Sequence, residues 1–292
     1  MDKISILYKT HIEMEVGLIP YNQKEYYDLI KKIDKYKFLL YDKESLHEKI
    51  NKYKIVKISD HYENIIKKNI KKIKLPNEII ALEFETTESL CGIEIPESTL
   101  FLELPEWFDE DINYPPNLVY LKTGRCFNQS IDDLPPSLKI LQLGSHFNCN
   151  LNNLPKGLEY LGIPIGSFDG KLDKLPPNLK VLNFGKEEEF DETKIKLNKL
   201  PENLQVLRLP LTYNKTLKNL PVNLKKLYLG YNYDKKLVKG SIPPYLEELV
   251  FNHNYDKDIP EGVIPKNTKK TNYFKDNNKE SESELKSESE SE

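Results

Sequence analysis

The sequence predicts a β-rich solenoid, with one short parallel strand per repeat of about 20–22 residues and a small mixed α/β cap at the N-terminus. Three observations predict it. A string of the form Leu-Pro-x-x-Leu-x-x-Leu-x-Leu, seen whole in Leu134-Pro-Pro-Ser-Leu-Lys-Ile-Leu-Gln-Leu143, starts again at Leu154-Pro155 and recurs over two thirds of the chain. Its apolar positions do not follow a helical period, and a proline at the second position stops any helix from crossing it. One such unit is too small to bury its own leucines, so the units must stack.

The cap comes first. Ile4, Ile6, Tyr8, Ile12, Met14 and Val16 fall on even positions, and that alternation predicts one long strand or two short ones, ended by Gly17 and Pro20. Asn22 suits a helix cap, and Tyr26, Leu29, Ile30 and Ile33 then share a helical face to about Tyr36. Phe38–Tyr41 reads as a short buried strand, Leu46–Ile50 as a short helix and Lys54–Ile58 as another strand. Asp60 and Glu63 have capping-box spacing before a helix carrying Tyr62, Ile65, Ile66, Ile70 and Ile73. The lysines opposite read as a solvated face. About seventy residues is marginal for a separate core, so residues 1–74 are expected to pack on the first repeat.

Repeats start at Leu75, Ile95, Tyr114, Leu134, Leu154, Leu175, Leu200, Leu220 and Ile242, with a degenerate tenth at Ile264. They place the solenoid over residues 75–275. Numbering each repeat from the residue before its proline, position 5 is leucine from Leu118 to Leu246 and position 8 is leucine from Leu82 to Leu249. Positions 8 and 10 point inward from a short strand. A glycine near position 11, as in Gly124, Gly144 and Gly230, lets the chain bend away. An aromatic near position 14 (Phe108, Phe127, Phe147, Phe168, Phe190, Tyr213, Tyr233, Tyr255) closes the back of the coil. Asn or Asp follows it each time and can bond backbone groups that lack a ladder partner. Nine such strands at ~4.8 Å give an edge of roughly 40 Å.

Residues 276–292 are a Ser/Glu-rich acidic run with almost nothing to bury, which predicts a disordered, solubilising tail. Ser281, Ser287 and Ser289 each have Glu three residues on, a spacing that acidophilic kinases favour.

The string Leu134–Asn148 resembles the FNIP repeat, a relative of leucine-rich repeats found in amoebae and the giant viruses that infect them. Phe127-Asn128 and Phe147-Asn148 match the first half of its Phe-Asn-Ile-Pro signature, and a later Leu-Pro or Ile-Pro supplies the rest. The resemblance covers roughly residues 75–265. It implies a leucine-rich-repeat-like coil and a protein-binding role. The ordinary leucine-rich pattern places its Asn three residues after the last Leu. Here it is usually five after, which departs from the familiar asparagine ladder. Some members of the family carry an N-terminal F-box that docks to a ubiquitin ligase. The string Leu75-Pro-Asn-Glu-Ile-Ile80 resembles an F-box opening, but Leu82 and Phe84 keep the repeat period, so the repeat reading is preferred.

Composition narrows the function. The net charge is −3, and only Arg125 and Arg208 among 43 basic residues are arginine, so nucleic-acid recognition is not expected. No run approaches the ~18 apolar residues of a membrane span. Three cysteines without metal or disulfide spacing suit the reducing cytoplasm, that of the host cell if the chain is viral. Five scattered histidines and the absence of a phosphate loop or nucleophile elbow predict no cofactor, no metal and no catalysis. Glu187-Glu188-Glu189 reads as a solvated loop tip.

One surface feature stands out. Positions 7 and 9 lie on the strand face away from the leucines. Phe101, Tyr120, Ile140, Tyr160, Val181 and Val206 occupy position 7, with Lys122, Gln142, Arg208 and Tyr228 at position 9. They predict an apolar stripe with a polar rim for an unidentified protein partner. Two alternatives stay open. In one, residues 1–80 dock to a ubiquitin-ligase adaptor and the coil receives substrates. In the other, an enzymatic site lies in residues 1–74.

Overall fold

A computed structural model describes residues 3–16, 18, 23–34, 37–40, 54–58, 73–84, 90, 93–163, 168, 172–185, 197, 199–252 and 255–272. The chain opens with two helices, α1 (Lys3–Glu15) and α2 (Gln23–Asp34). Strands β1 (Lys37–Leu40) and β2 (Ile55–Ile58) follow, then β3 (Ile73–Lys74), β4 (Ala81–Phe84) and β5 (Ile93–Glu94). One strand per repeat comes next: β6 (Phe101–Glu103), β7 (Tyr120–Lys122), β8 (Ile140–Gln142), β9 (Tyr160–Gly162), β10 (Val181–Asn183), β11 (Val206–Arg208), β12 (Lys226–Tyr228), β13 (Glu248–Phe251) and β14 (Lys269–Asn272). Among the described residues, twelve strands form one parallel sheet in the order β1-β2-β4-β6 and onward to β14. β3 and β5 pair separately at the starts of two repeats.

The sheet is longer than nine repeats require. β1 and β2 lie in what the sequence reads as the cap, yet they join the repeat strands in parallel: Val56 aligns with Leu82 of β4, as Leu82 does with Leu102. The solenoid pattern therefore begins before its first proline.

Each repeat is built from two turns. At the proline, the position-5 amide bonds the carbonyl three residues back, as in Leu138 N–H to Pro135 O at 3.0 Å and Leu158 N–H to Pro155 O at 3.0 Å. A second proline, such as Pro136, sits at the turn position whose φ proline presets. At the far turn, Phe147 N–H reaches Gly144 O at 3.1 Å. Repeats then bond to one another away from the sheet. Ser137 Oγ donates to Leu118 O at 2.8 Å, and Asn203 Nδ2 donates to Pro177 O at 2.9 Å. The residue after the aromatic forms a side-chain ladder: Asn128 N–H donates to Asp109 Oδ1, Asn148 N–H to Asn128 Oδ1, both at 2.7 Å, and Asp234 N–H to Asn214 Oδ1 at 2.9 Å. A ladder of Asn and Asp thus exists two residues later than in the ordinary pattern, where it supplies acceptors that irregular backbone lacks.

The core is a column of leucines at positions 5 and 8, from Leu118 to Leu249, lined behind by Phe108, Phe127, Phe147 and Phe168, all buried. Phe108 and Phe127 stack at 6.3 Å.

Residues 3–15 are a helix, not the strand that their alternation predicts. Leu7 breaks the alternation, whereas Tyr8, His11, Ile12 and Glu15 are spaced for one helical face. Tyr8, His11 and Ile12 are buried, and Ile6, counted in the alternation, is exposed. The helix near residues 22–36 and the strands near 38–41 and 54–58 are present as α2, β1 and β2. The expected helices at 46–50 and 60–73, the loop tip at 187–189 and the acidic tail lie outside the described residues. Leu75–Ile80 enters β4 through a proline turn, with Ile79 N–H on Pro76 O at 3.2 Å, as the repeat reading requires.

Candidate protein-binding face

The face of the sheet away from the leucines carries two rows. Position 7 runs Ile55, Ala81, Phe101, Tyr120, Ile140, Tyr160, Val181, Val206, Lys226 and Glu248 in aligned register. Position 9 runs Lys57, Glu83, Glu103, Lys122, Gln142, Gly162, Asn183, Arg208, Tyr228 and Val250.

The first row is not an open stripe. Phe101, Tyr120, Ile140, Tyr160 and Val181 are each at most 4% exposed. They form one apolar cluster with Tyr8, Ile12, Met14, Leu29 and Ile33 of the two helices. Tyr8 packs edge-on against Phe101, with ring centroids 5.0 Å apart, and its hydroxyl donates to the buried Glu83 carboxylate. The expectation that these five residues lie exposed is therefore corrected. The amphipathic N-terminal segment buries its own apolar face on the same stripe that looked free in the repeats. Val206, at the margin of this cluster, is half-buried. Beyond it the row changes to Lys226 and Glu248, paired at 3.6 Å.

The second row is buried at Glu83, Gly162 and Val250 and accessible elsewhere. Lys122 is exposed, while Gln142, Arg208 and Tyr228 are half-buried. Their contacts hold them in place. Lys122 Nζ lies 3.1 Å from Glu103 Oε2, and the Tyr120 hydroxyl donates to Glu103 Oε1 at 3.2 Å. The Tyr160 hydroxyl donates to Gln142 Oε1 at 2.8 Å and accepts from Asn183 Nδ2 at 3.0 Å. The Arg208 guanidinium carbon sits 4.1 Å from the Tyr228 ring centroid, a cation–π pair. Burial, reinforced by the Glu103 charge, pushes the Tyr120 hydroxyl well above its ordinary pKa. Burial pulls Lys122 down, but Glu103 outweighs it and holds the ammonium above its usual value.

Along β2–β7 a cleft of about 480 Å³ opens between Lys57, Glu83, Glu103, Glu106 and Lys122, with Phe84, Leu104 and Gly124 also in its wall. Sequence reasoning missed Lys57 and Glu83 because it did not assign their strands to the binding face. The cleft mixes carboxylates and ammoniums. No His/Cys/Asp/Glu group among the described residues has the geometry of a metal site. No helix among them is long and apolar enough to cross a membrane.

The FNIP Repeat family profile matches the chain at residues 127–164, 213–252 and 233–270. The chain contains FNIP repeats at these places. A search of curated proteins finds no match. Among solved structures, the FNIP-repeat chain is similar to CroV588, described as a novel circular LRR protein. The two share 22% identity with a TM-score of 0.55, over 78% of this chain and 38% of that one. It also matches YopM from Yersinia enterocolitica at 23% identity and a TM-score of 0.33, over 69% of this chain and 57% of that one. The chain thus spans well under half the length of CroV588. That likeness establishes a leucine-rich-repeat-like parallel solenoid.

Proposed function

We propose that this repeat protein is a non-enzymatic scaffold that binds another protein through the part of its sheet face left open by its helices. The contact residues are Lys122, Gln142, Arg208 and Tyr228, with Val206 at the edge. One observation carries the reading: position 7 is buried as far as Val181 in one cluster with α1 and α2, while Lys122, Gln142, Arg208 and Tyr228 of the neighbouring row are exposed or half-buried and held by fixed contacts. Side chains already held in place lose little freedom on binding. The Arg208–Tyr228 pair has the composition typical of interface hot spots. Phe101, Tyr120, Ile140, Tyr160 and Val181 serve instead to seat the helices.

The test is capture from native host-cell extract on the immobilised full chain, with bound proteins identified by mass spectrometry. The same capture is repeated with Arg208→Ala and Tyr228→Ala combined. The double variant should fold normally and weaken binding of the captured protein by at least about 2 kcal/mol, roughly thirtyfold in Kd. Undiminished capture by the folded variant removes this surface from consideration. Ligase adaptor subunits in the captured set would instead favour the substrate-receptor reading.

A further inference from the structure

We propose that the coil ending in β14 is a built-in stop, which keeps copies of this chain from joining end to end. A stack of parallel strands has two unlike ends. Among the described residues, β1 stands at one end of the twelve-stranded sheet and β14 at the other. An edge strand presents unpaired backbone N–H and C=O groups to any further strand. β14 of one copy would therefore pair with β1 of the next in the parallel sense that runs through the whole sheet. Such a contact is head to tail, so it would propagate into a ring or a filament.

The backbone of this coil permits the contact, and its side chains oppose it. The proline turn is kept, with Thr268 N–H on Pro265 O at 3.0 Å, and β14 pairs with β13 as any repeat strand pairs with its neighbour. The coil covers the leucines before it: Leu246 and Leu249 are buried, and Thr268 Oγ1 donates to Leu246 O at 2.7 Å. It offers none in return. Every other strand of the sheet carries an apolar residue, whereas β14 reads Lys-Lys-Thr-Asn. Side chains alternate along a strand, so each face of β14 carries one lysine. Lys269 lies 4.0 Å from Glu248, and Lys270 aligns with Leu249 of the core column. In a joined stack an ammonium would stand in line with the leucines. β1 reads Lys-Phe-Leu-Leu and supplies no carboxylate to pair with it. Lys270 is exposed, so joining would strip water from its charge without replacing it. A polar outer face is what the terminal unit of a stack needs.

Sedimentation velocity of the full chain over a wide range of concentration tests it. Lys270→Leu, Thr271→Val and Asn272→Leu are combined, which makes both faces of β14 apolar and leaves the Lys269–Glu248 contact alone. The control combines Lys266→Leu and Asn267→Leu, two exposed positions of the same coil at its proline turn. The expected result is a monomeric wild type, a monomeric control and open-ended association of the triple variant. That association should be at least about a hundredfold tighter than any in the wild type, the factor for burying two leucine-sized side chains. Amides of β1 and β14 should gain protection from hydrogen exchange as the variant associates. If the triple variant does not fold, Lys270→Leu alone, at an exposed position, should give about a tenfold gain. A folded variant that stays monomeric, equal association of variant and control, or a wild type that already joins through β1 and β14 would overturn the proposal.

Discussion

Glycine 144 shows how tightly adjacent coils approach. A Cβ placed there would lie 1.9 Å from the Gly124 carbonyl oxygen, on backbone that cannot move aside. Its amide also donates to Thr123 Oγ1 at 2.8 Å. At Gly157 the nearest atom would be the end of the Lys139 side chain, at 3.0 Å. Gly144→Ala should therefore cost about 1–3 kcal/mol, and Gly157→Ala less than about 1 kcal/mol. Urea midpoints of the two variants decide it, and equal shifts would mean the turns are loosely stacked. The buried tyrosines make a second residue-scale prediction. Burial raises the hydroxyls of Tyr120, Tyr160, Tyr213 and Tyr233 above the ordinary tyrosine value. Above about pH 10 the unfolded chain releases these protons while the folded chain retains them, so stability falls as pH rises. Urea midpoints followed from about pH 8 to pH 11 should decline, and less steeply in Tyr120→Phe, which keeps the ring and loses the titrating group. A flat profile would contradict the burial.

Helix α1 is the element that changes the meaning of its neighbours. Its Tyr8 and Ile12 are buried and complete the cluster over position 7. Two consequences can be measured. Tyr120→Ala combined with Tyr160→Ala should lower stability by several kcal/mol, because each removes a fully buried aromatic at about 3–5 kcal/mol. An unchanged melting temperature would return those residues to an exposed stripe. Tyr8→Ala with Ile12→Ala should release the helices while sparing the distant strands. In hydrogen exchange, amides of α1 and α2 should lose protection while β12 and β13 keep theirs. Uniform loss would show that the helices and the whole sheet open together.

The whole molecule is a line of nearest-neighbour contacts with a clamp over one part of it. In stacked repeats stability is approximately a sum over units and interfaces. The helices tie the position-7 row from Ile55 to Val181 into one cluster, whereas β12–β14 contribute no residue to it. Leu227→Ala, a core deletion of about 2–5 kcal/mol, should accordingly expose β12–β14 to exchange before β7–β9. The same deletion at Leu141, beneath the clamp, should act on the longer unit and lower the main transition. Simultaneous exchange of all strands in Leu227→Ala would argue for a single cooperative block.

The repeat was legible because its signals are local. A proline with a turn bond three residues on, a leucine pair two apart and an aromatic followed by Asn or Asp each specify their own stretch of backbone. Period alone therefore placed β4, the strands from β6 to β13 and the inward leucines. Two results required the tertiary structure. Residues 55–58 lack the proline turn, so only pairing with β4 reveals Val56 as a repeat position. The fate of Phe101, Tyr120, Ile140, Tyr160 and Val181 depended on a helix far away in sequence, at residues 3–15. A strand's side-chain pattern states which face is apolar. It does not state what covers that face, because burial depends on long-range packing and the repeat period carries no record of it.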